Sequence, residues 1–196
     1  MISNKDRFRQ AITLIDQENQ QDPHSELSNG QQVPKELLYS ERMTNWLEKF
    51  NPKASEELRL AARSQHICRW TIPRESYPMD RKGYLLWRTE LKKFHAQKAE
   101  TILLQCGYNQ EVIDRVKSLI LKQRLKTDKE SQTLEDVVCL VFLEFYFSEF
   151  AQKHPEEKVI SIVQKTWNKM SVDARKVAME LNLPPADFDL IQKAIG

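Results

Sequence analysis

Residues 55–70, SEELRLAARSQHICRW, decide how this chain is read. Ser55 followed by Glu56 and Glu57 is a helix start. The hydroxyl can accept from backbone N–H groups that the first turn leaves unpaired, and two acids stand against the positive end of the helix dipole. The segment continues as a buried helix through Ala61 and Ala62. Gln65 and His66 then stand where the apolar pattern should go on, and the helix is expected to reach Cys68 or Arg69. From there to Glu90, Arg69, Arg74, Arg81 and Arg88 are interleaved with Trp70, Tyr77, Tyr84 and Trp87. A solvated loop favours Gly, Ser and Asn, whereas arginine beside flat rings suits an anion held between planar groups.

Outward from this stretch the pattern stays helical. Apolar residues recur at three and four, and the chain has only 4 glycines. A first helix is expected over about 5–20 with Phe8, Ile12 and Ile15 inward, followed by a polar loop over 19–32. A second helix follows Pro34, buries Leu38, Met43, Trp46, Leu47 and Phe50, and stops at Asn51 and Pro52. After the Arg-rich loop a long helix runs from 83 to 105, ending at the cap glycine Gly107. Asn109 caps a fifth helix with the stripe Val112, Val116, Ile120 and Leu121. Thr133 is expected to cap a sixth, VVCLVFLEFYF, which is apolar nearly all round. Shorter helices over about 156–168, 172–181 and 186–194 complete an all-α chain, expected as a single-domain helical bundle with a core over about 5–152 and a C-terminal extension over 155–196.

Composition narrows the function. With 40% apolar and 30% charged residues and a net charge of +2, the chain is globular and has no whole-protein field that would drive DNA or membrane binding, so any basic site is local. Cys68, Cys106 and Cys139 are widely spaced inside helical patterns and read as reduced core thiols. The opening MISNKDRFRQ lacks the apolar stretch of a signal peptide and no later run is long enough to span a bilayer, so a cytoplasmic location and no membrane partner are expected. Gly-rich phosphate loops, HExxH and paired CxxC motifs do not occur.

Ionisable residues interrupt the apolar stripes at three places: His66, His95 and Glu135-Asp136. Arg59, Arg63, His66 and Arg69 share one helix face, and Arg88, Lys92 and His95 share another. The Arg-rich loop joins the two helices. His66, His95 and Asp136 are therefore expected to meet in one cleft with that loop at its mouth. Against this, arginine on a helix face is ordinarily solvated or paired, and Glu56, Glu57 and Glu90 are available as partners.

The helix ending AARSQHIC resembles the AALLHD helix of the HD-domain superfamily, all-α metal phosphohydrolases, with Gln65 at the dyad histidine and His66 at the dyad aspartate. In that resemblance Glu41, in LLYSERM, stands near the first histidine, Asp136, in TLEDVVCL, near the final aspartate, and HAQKAETIL from His95 near a further histidine segment. The whole pattern LLYSERMTNWL, RSQHICRW, IPRESYP, RKGYLLWR and TLEDVVCLVFLE more closely resembles domain-of-unknown-function family 4202, over about 8–147, a family with no activity to transfer.

The HD resemblance implies a phosphohydrolase or phosphoryl-transfer enzyme acting on a nucleotide or other phosphorylated small molecule. Glu41, His66, His95 and Asp136 would supply a mixed N/O set for a divalent metal such as Mn, Fe, Co, Ni, Zn or Mg. Arg63, Arg69, Arg74, Arg81, Arg88 and Lys92 would hold the phosphate, with Trp70 or Tyr84 on a base. Two alternatives stay open: a metal-free site with His66 or His95 as acid and base, and a non-catalytic nucleotide- or RNA-binding module.

Overall fold

The computed structural model describes residues 4–125 and 127–196, so the first three residues of the amino-terminal stretch read above lie outside it. The described residues are helical apart from one hairpin, and they group into two compact units, Met1–Arg124 and Leu125–Gly196. No helix among the described residues is long and apolar enough to cross a membrane.

In the first unit, α1 (Asn4–Asn19) is followed by strands β1 (Ser25–Ser28) and β2 (Gln31–Pro34), then α2 (Lys35–Phe50), α3 (Glu56–Arg63), α4 (Arg81–Gln105) and α5 (Gln110–Ile120). The expected loop over 19–32 thus contains an antiparallel hairpin, Ser25 opposite Pro34 and Ser28 opposite Gln31. Its turn is Asn29-Gly30 with φ of 50° and 78°, the left-handed pair a two-residue hairpin turn requires. The hairpin delivers the chain to α2, whose N-cap Pro34 offers no side-chain acceptor. Asp22 does that work from across the hairpin. Its Oδ2 accepts from Glu36 N at 3.0 Å and its Oδ1 from His24 N at 2.9 Å, while Lys35 N donates to the His24 carbonyl at 2.9 Å.

Ser55 caps α3 as expected, its hydroxyl accepting from Leu58 N at 3.1 Å. The helix stops at Arg63, short of Cys68. Beyond it the backbone bonds to side chains from other elements: Cys68 N donates to Asn19 Oδ1 at 3.0 Å, the Ile67 carbonyl meets His95 Nδ1 at 2.8 Å, and Cys68 sits in the left-handed region at φ 52°. Polar residues that broke the apolar pattern are thus spent on a turn. Ile15, Met43, Leu47, Leu58, Leu60, Ile67, Leu103, Ile113, Leu119 and Ile120 are fully buried. Each contributes about 1.5–3 kcal/mol relative to exposure. On α5 the inward stripe is Ile113, Val116, Leu119 and Ile120, so Val112 and Leu121 stand at its rim.

The second unit holds α6 (Lys129–Val141), which passes through a π-helical stretch (Phe142–Tyr146) into α7 (Phe147–Gln152), then α8 (Glu156–Trp167), α9 (Val172–Met179) and α10 (Pro185–Ile195). Its buried side chains include Leu134, Val137, Leu140, Leu143, Phe147, Val159, Val163 and Ile191. Asp128 caps α6, accepting from Glu130 N and Ser131 N, which moves the start ahead of the expected Thr133. A carboxylate is the stronger acceptor there. Thr133 instead returns its hydroxyl to the Lys129 carbonyl at 2.9 Å.

Candidate functional site

His66 and His95, both in the first unit, come together. The rings of His66 and His95 lie 5.9 Å apart in the first unit, one on the turn after α3 and the other in the middle of α4. Tyr39 stacks flat on His66, centroids 3.9 Å apart and planes 10° from parallel. Glu36, one turn earlier on α2, brings Oε2 to 3.3 Å from His66 Nδ1. Arg69 reaches back over one turn and sets Nη1 2.9 Å from His66 Nε2 and 3.3 Å from Nδ1, while its guanidinium carbon stands 5.0 Å above the Trp87 ring. Trp87 is itself held by its indole N–H on the Ile72 carbonyl at 2.9 Å, fastening the Arg-rich strap to α4.

Hydrogen-bond chemistry fixes the tautomer of His95. The Ile67 carbonyl only accepts, so His95 carries its proton on Nδ1, and its Nε2 is a lone pair. That lone pair is enclosed with no partner among the described residues, on a side chain 1% exposed. Arg69 Nη1 lies within 3.3 Å of both His66 ring nitrogens and so stands against the ring face, out of line with either nitrogen's in-plane lone pair, while Glu36 Oε2 faces Nδ1 at 3.3 Å. Other buried polar atoms without a partner cluster at the same turn: Ser64 Oγ, Gln65 Oε1 and the amide nitrogen of Asn19, whose oxygen holds Cys68 N. Buried polar groups are rarely left unsatisfied, so this concentration marks the turn as a place built to meet something polar.

The electrostatics follow from burial and cations. Desolvation pushes His95 down to about 3, with the neighbouring His66 adding to it. His66 lies well below its usual range, from desolvation first and then from Arg69, Lys122, Arg88 and Lys35. Glu36 moves the other way, pushed up to about 7 by burial and opposed in part by Arg69. Near neutral pH the site therefore holds two neutral imidazoles and a carboxyl poised between its forms, beneath several cations.

The other expected residues have the following surroundings. Asp136 belongs to the second unit, where its Oδ1 accepts from Ser171 N at 2.8 Å and Gln132 Nε2 at 2.9 Å, anchoring the start of α9; burial leads in raising its pKa. Glu41 stands five residues after Glu36 on α2, about 140° around the helix from it. Arg63 is gripped by Asp16 through two bonds of 2.7 Å and touches Thr44 Oγ1 at 3.3 Å, a buried fork that ties α3 to α1 and α2. Arg74 gives its guanidinium to the carbonyls of Tyr77, Pro78 and Asp80. Arg88 stands 5.8 Å over Tyr84. Arg81 is exposed in the first turn of α4, and Trp70 and Lys92 are half-buried. An open groove of about 460 Å³ beside Lys82, Leu85, Leu86 and Thr89 follows the exposed side of α4, away from His95.

Arg74 accordingly acts on the loop it closes. Arg74→Lys is expected to cost about 1 kcal/mol, because a point charge cannot span three carbonyls. Urea unfolding of the variant measures it, and an unchanged midpoint would show that the strap holds itself.

Sequence reasoning missed Glu36 and Tyr39. Glu36 sits in the first turn of α2, where an acid ordinarily serves the helix dipole, and Tyr39 has the spacing of a core residue, so no signal sets either apart.

The chain belongs to the family described as domain of unknown function DUF4202, whose model matches residues 9–191. No curated protein and no solved structure matches it.

Proposed function

We propose that the Glu36–His66–His95 cluster is the centre of a phosphohydrolase or phosphoryl-transfer site for a phosphorylated small molecule or nucleotide, working by acid–base chemistry. The carrying observation is the enclosed, partnerless Nε2 of His95 beside a His66 that Tyr39, Glu36 and Arg69 surround. Cations that depress His66 are the ones an anionic phosphoryl group would neutralise, so substrate binding itself raises the basicity of the imidazole toward a useful range. Arg69, backed by Trp87, and Arg88, backed by Tyr84, supply planar donors for phosphoryl oxygens.

The donor arrangement does not fit the divalent metal implied by the HD resemblance. Among the described residues no group of three or more His, Cys, Asp or Glu side chains is placed to hold an ion, and the Arg69 guanidinium, a cation, stands within 3.3 Å of both His66 nitrogens. The chemistry is therefore assigned to the chain's own groups. A water or hydroxyl nucleophile gives a proton to an imidazole lone pair as its oxygen bonds to phosphorus, and that proton passes to the leaving oxygen as the old P–O bond breaks.

A screen over nucleotides and sugar phosphates, run with chelator and with added Mn, Co, Ni or Mg, tests this. Turnover that survives chelator is expected, and His66→Asn or His95→Asn should lower kcat at least ~100-fold. Saturable binding of a nucleotide or an RNA oligomer without turnover would replace the enzyme by a binding module. Strict dependence on added metal would restore the metal reading.

A further inference from the structure

The chain leaves α5 through a backbone that a lysine fits badly. Gln123 N donates to the Ser118 carbonyl and Lys122 N to the Leu119 carbonyl, both at 3.0 Å, the paired closure that ends a helix on a left-handed residue. α4 ends in the same way, with Tyr108 N on the Leu103 carbonyl and Gly107 N on the Leu104 carbonyl, both at 3.0 Å. There the left-handed residue is a glycine, Gly107, at φ 77°. In α5 it is Lys122, at φ 56°, where a Cβ crowds the following carbonyl and glycine or asparagine is the ordinary choice. The chain thus closes two helices by one motif and carries a strained side chain in only one of them. The helix dipole does not require it, because Lys117 already stands in the last turn of α5.

The position of Lys122 shows what the side chain serves. α5 packs against α3 and α4, doubling back along α4 after the turn at 106–109. Lys117 sets the register, its Nζ 2.8 Å from Glu100 Oε2. Lys122 lies five residues beyond Lys117 and His95 five before Glu100, so equal rises bring the closure of α5 level with the middle of α4. The Lys122 charge reaches the His66 ring as well: after Arg69 it depresses that imidazole most, ahead of Arg88 and Lys35. These cations come from four places in the chain, the turn after α3, the end of α5, α4 and the start of α2. Like charges gathered on one ring repel, and a bound anion turns that repulsion into attraction.

We propose that Lys122 is a phosphate-binding residue of the Glu36–His66–His95 site, its ammonium presented to the phosphoryl group from the end of α5. This rests on the phosphoryl-transfer reading and adds a ligand that no motif or helical spacing disclosed. Lysine and arginine divide the work. The planar forks of Arg69 and Arg88 orient phosphoryl oxygens, while an ammonium on a flexible stem follows the charge wherever it gathers.

The test uses the full chain, inorganic phosphate as the probe, and two substitutions, Lys122→Gly and Lys122→Asn, whose new residues accept the left-handed backbone and remove the charge. Calorimetry is expected to show phosphate binding weakened about tenfold or more in both, the value of one charge-assisted bond. Urea unfolding should place the midpoint of Lys122→Gly no lower than that of wild type, because the strain leaves with the lysine. Stability kept while binding is lost marks a residue retained for its ligand. Proton NMR, with His66 assigned by its loss in His66→Asn, locates the ion: phosphate should move the His66 ring signals in wild type and not in Lys122→Gly at the same concentration. Arg124→Gly relaxes a second left-handed residue, at φ 56°, and is expected to leave phosphate binding unchanged. For any substrate that the screen turns over, KM should rise by the same factor in the two Lys122 variants.

Phosphate affinity and KM that stay at the wild-type values in Lys122→Gly and Lys122→Asn would overturn the assignment and leave the phosphoryl-transfer reading standing. So would an equal loss in Arg124→Gly, which would trace the effect to the connection after α5, or a midpoint well below wild type in both Lys122 variants, which would make the lysine a structural residue. Phosphate that binds without moving the His66 signals would place the ion elsewhere and count equally against Lys122. Absence of phosphate binding together with absence of turnover would remove both readings.

Discussion

Glu36→Gln is expected to make the protein more stable at pH 8 by roughly 2 to 3 kcal/mol, and to leave it unchanged near pH 4.5, since each tenfold difference in proton affinity between the folded and unfolded chains is worth about 1.4 kcal/mol. The carboxyl ionises at about 7 in the folded chain against 4.5 for the free group. Its favourable contribution is present below pH 4.5, where both states are protonated, and is lost as pH rises through 7. Between those values the unfolded state releases a proton that the folded state retains. His95 works in the opposite direction: depressed from 6.5 to about 3, it favours the fold above pH 6.5 and loses that effect as pH falls toward 3. Wild-type stability is thus eroded from both sides, and glutamine, which does not titrate, removes only the alkaline limb. Chemical denaturation of both proteins between pH 4.5 and 8.5 measures the difference, and a gap that does not grow with pH would rule out a buried titrating carboxyl. A residue that lowers stability at neutral pH and is nevertheless placed against His66 is best understood by its use there.

Gly83→Ala should be the most damaging single methyl in the first unit. Ordinary helix propensity favours alanine by about 1 kcal/mol at such a position. Here a Cβ would come to 2.1 Å from the Pro78 carbonyl oxygen and 2.8 Å from its carbon, both backbone atoms. Arg74 Nη2 holds that same oxygen at 2.7 Å and Asp80 caps Gly83 N at 2.7 Å, so the loop cannot simply step aside. A net loss of about 3 kcal/mol is expected, measured by urea unfolding. Combining the change with Arg74→Ala should cost less than the sum of the two, since a released Pro78 can move. A neutral or stabilised Gly83→Ala would show that residues 77–80 yield freely.

What the sequence disclosed and what it hid have the same cause, the distance between interacting residues. Ser55 and Asn109 were readable as caps because the amides they serve lie three residues on. His66 and His95 were readable as neighbours because each broke a helical stripe beside the same Arg-rich connection. The ion pair of Arg63 left no trace in the sequence because its partner Asp16 lies 47 residues away. The commitment of Arg74 to carbonyls depends on a loop shape that no spacing states. The hairpin escaped notice despite Asn29-Gly30, since SELS and QQVP lack the apolar alternation that identifies strands. Glu36 remained hidden because a first-turn acid is what most helices display.

The carboxylate of Asp22 reaches across the base of that hairpin to start α2, and in doing so it uncouples length from register. Glu26 adds a second tie, its carboxylate accepting from Arg42 Nη1 at 2.9 Å, so the turn past it hangs from a closed ring and the first turn that carries Glu36 is set below it. The Asn29-Gly30 tip is therefore an ornament in the architectural sense. It can be lengthened, trimmed or grafted with a foreign peptide while the carboxyl beneath it keeps its aim, which makes it the natural place for evolution, or an engineer, to add a new surface to this chain.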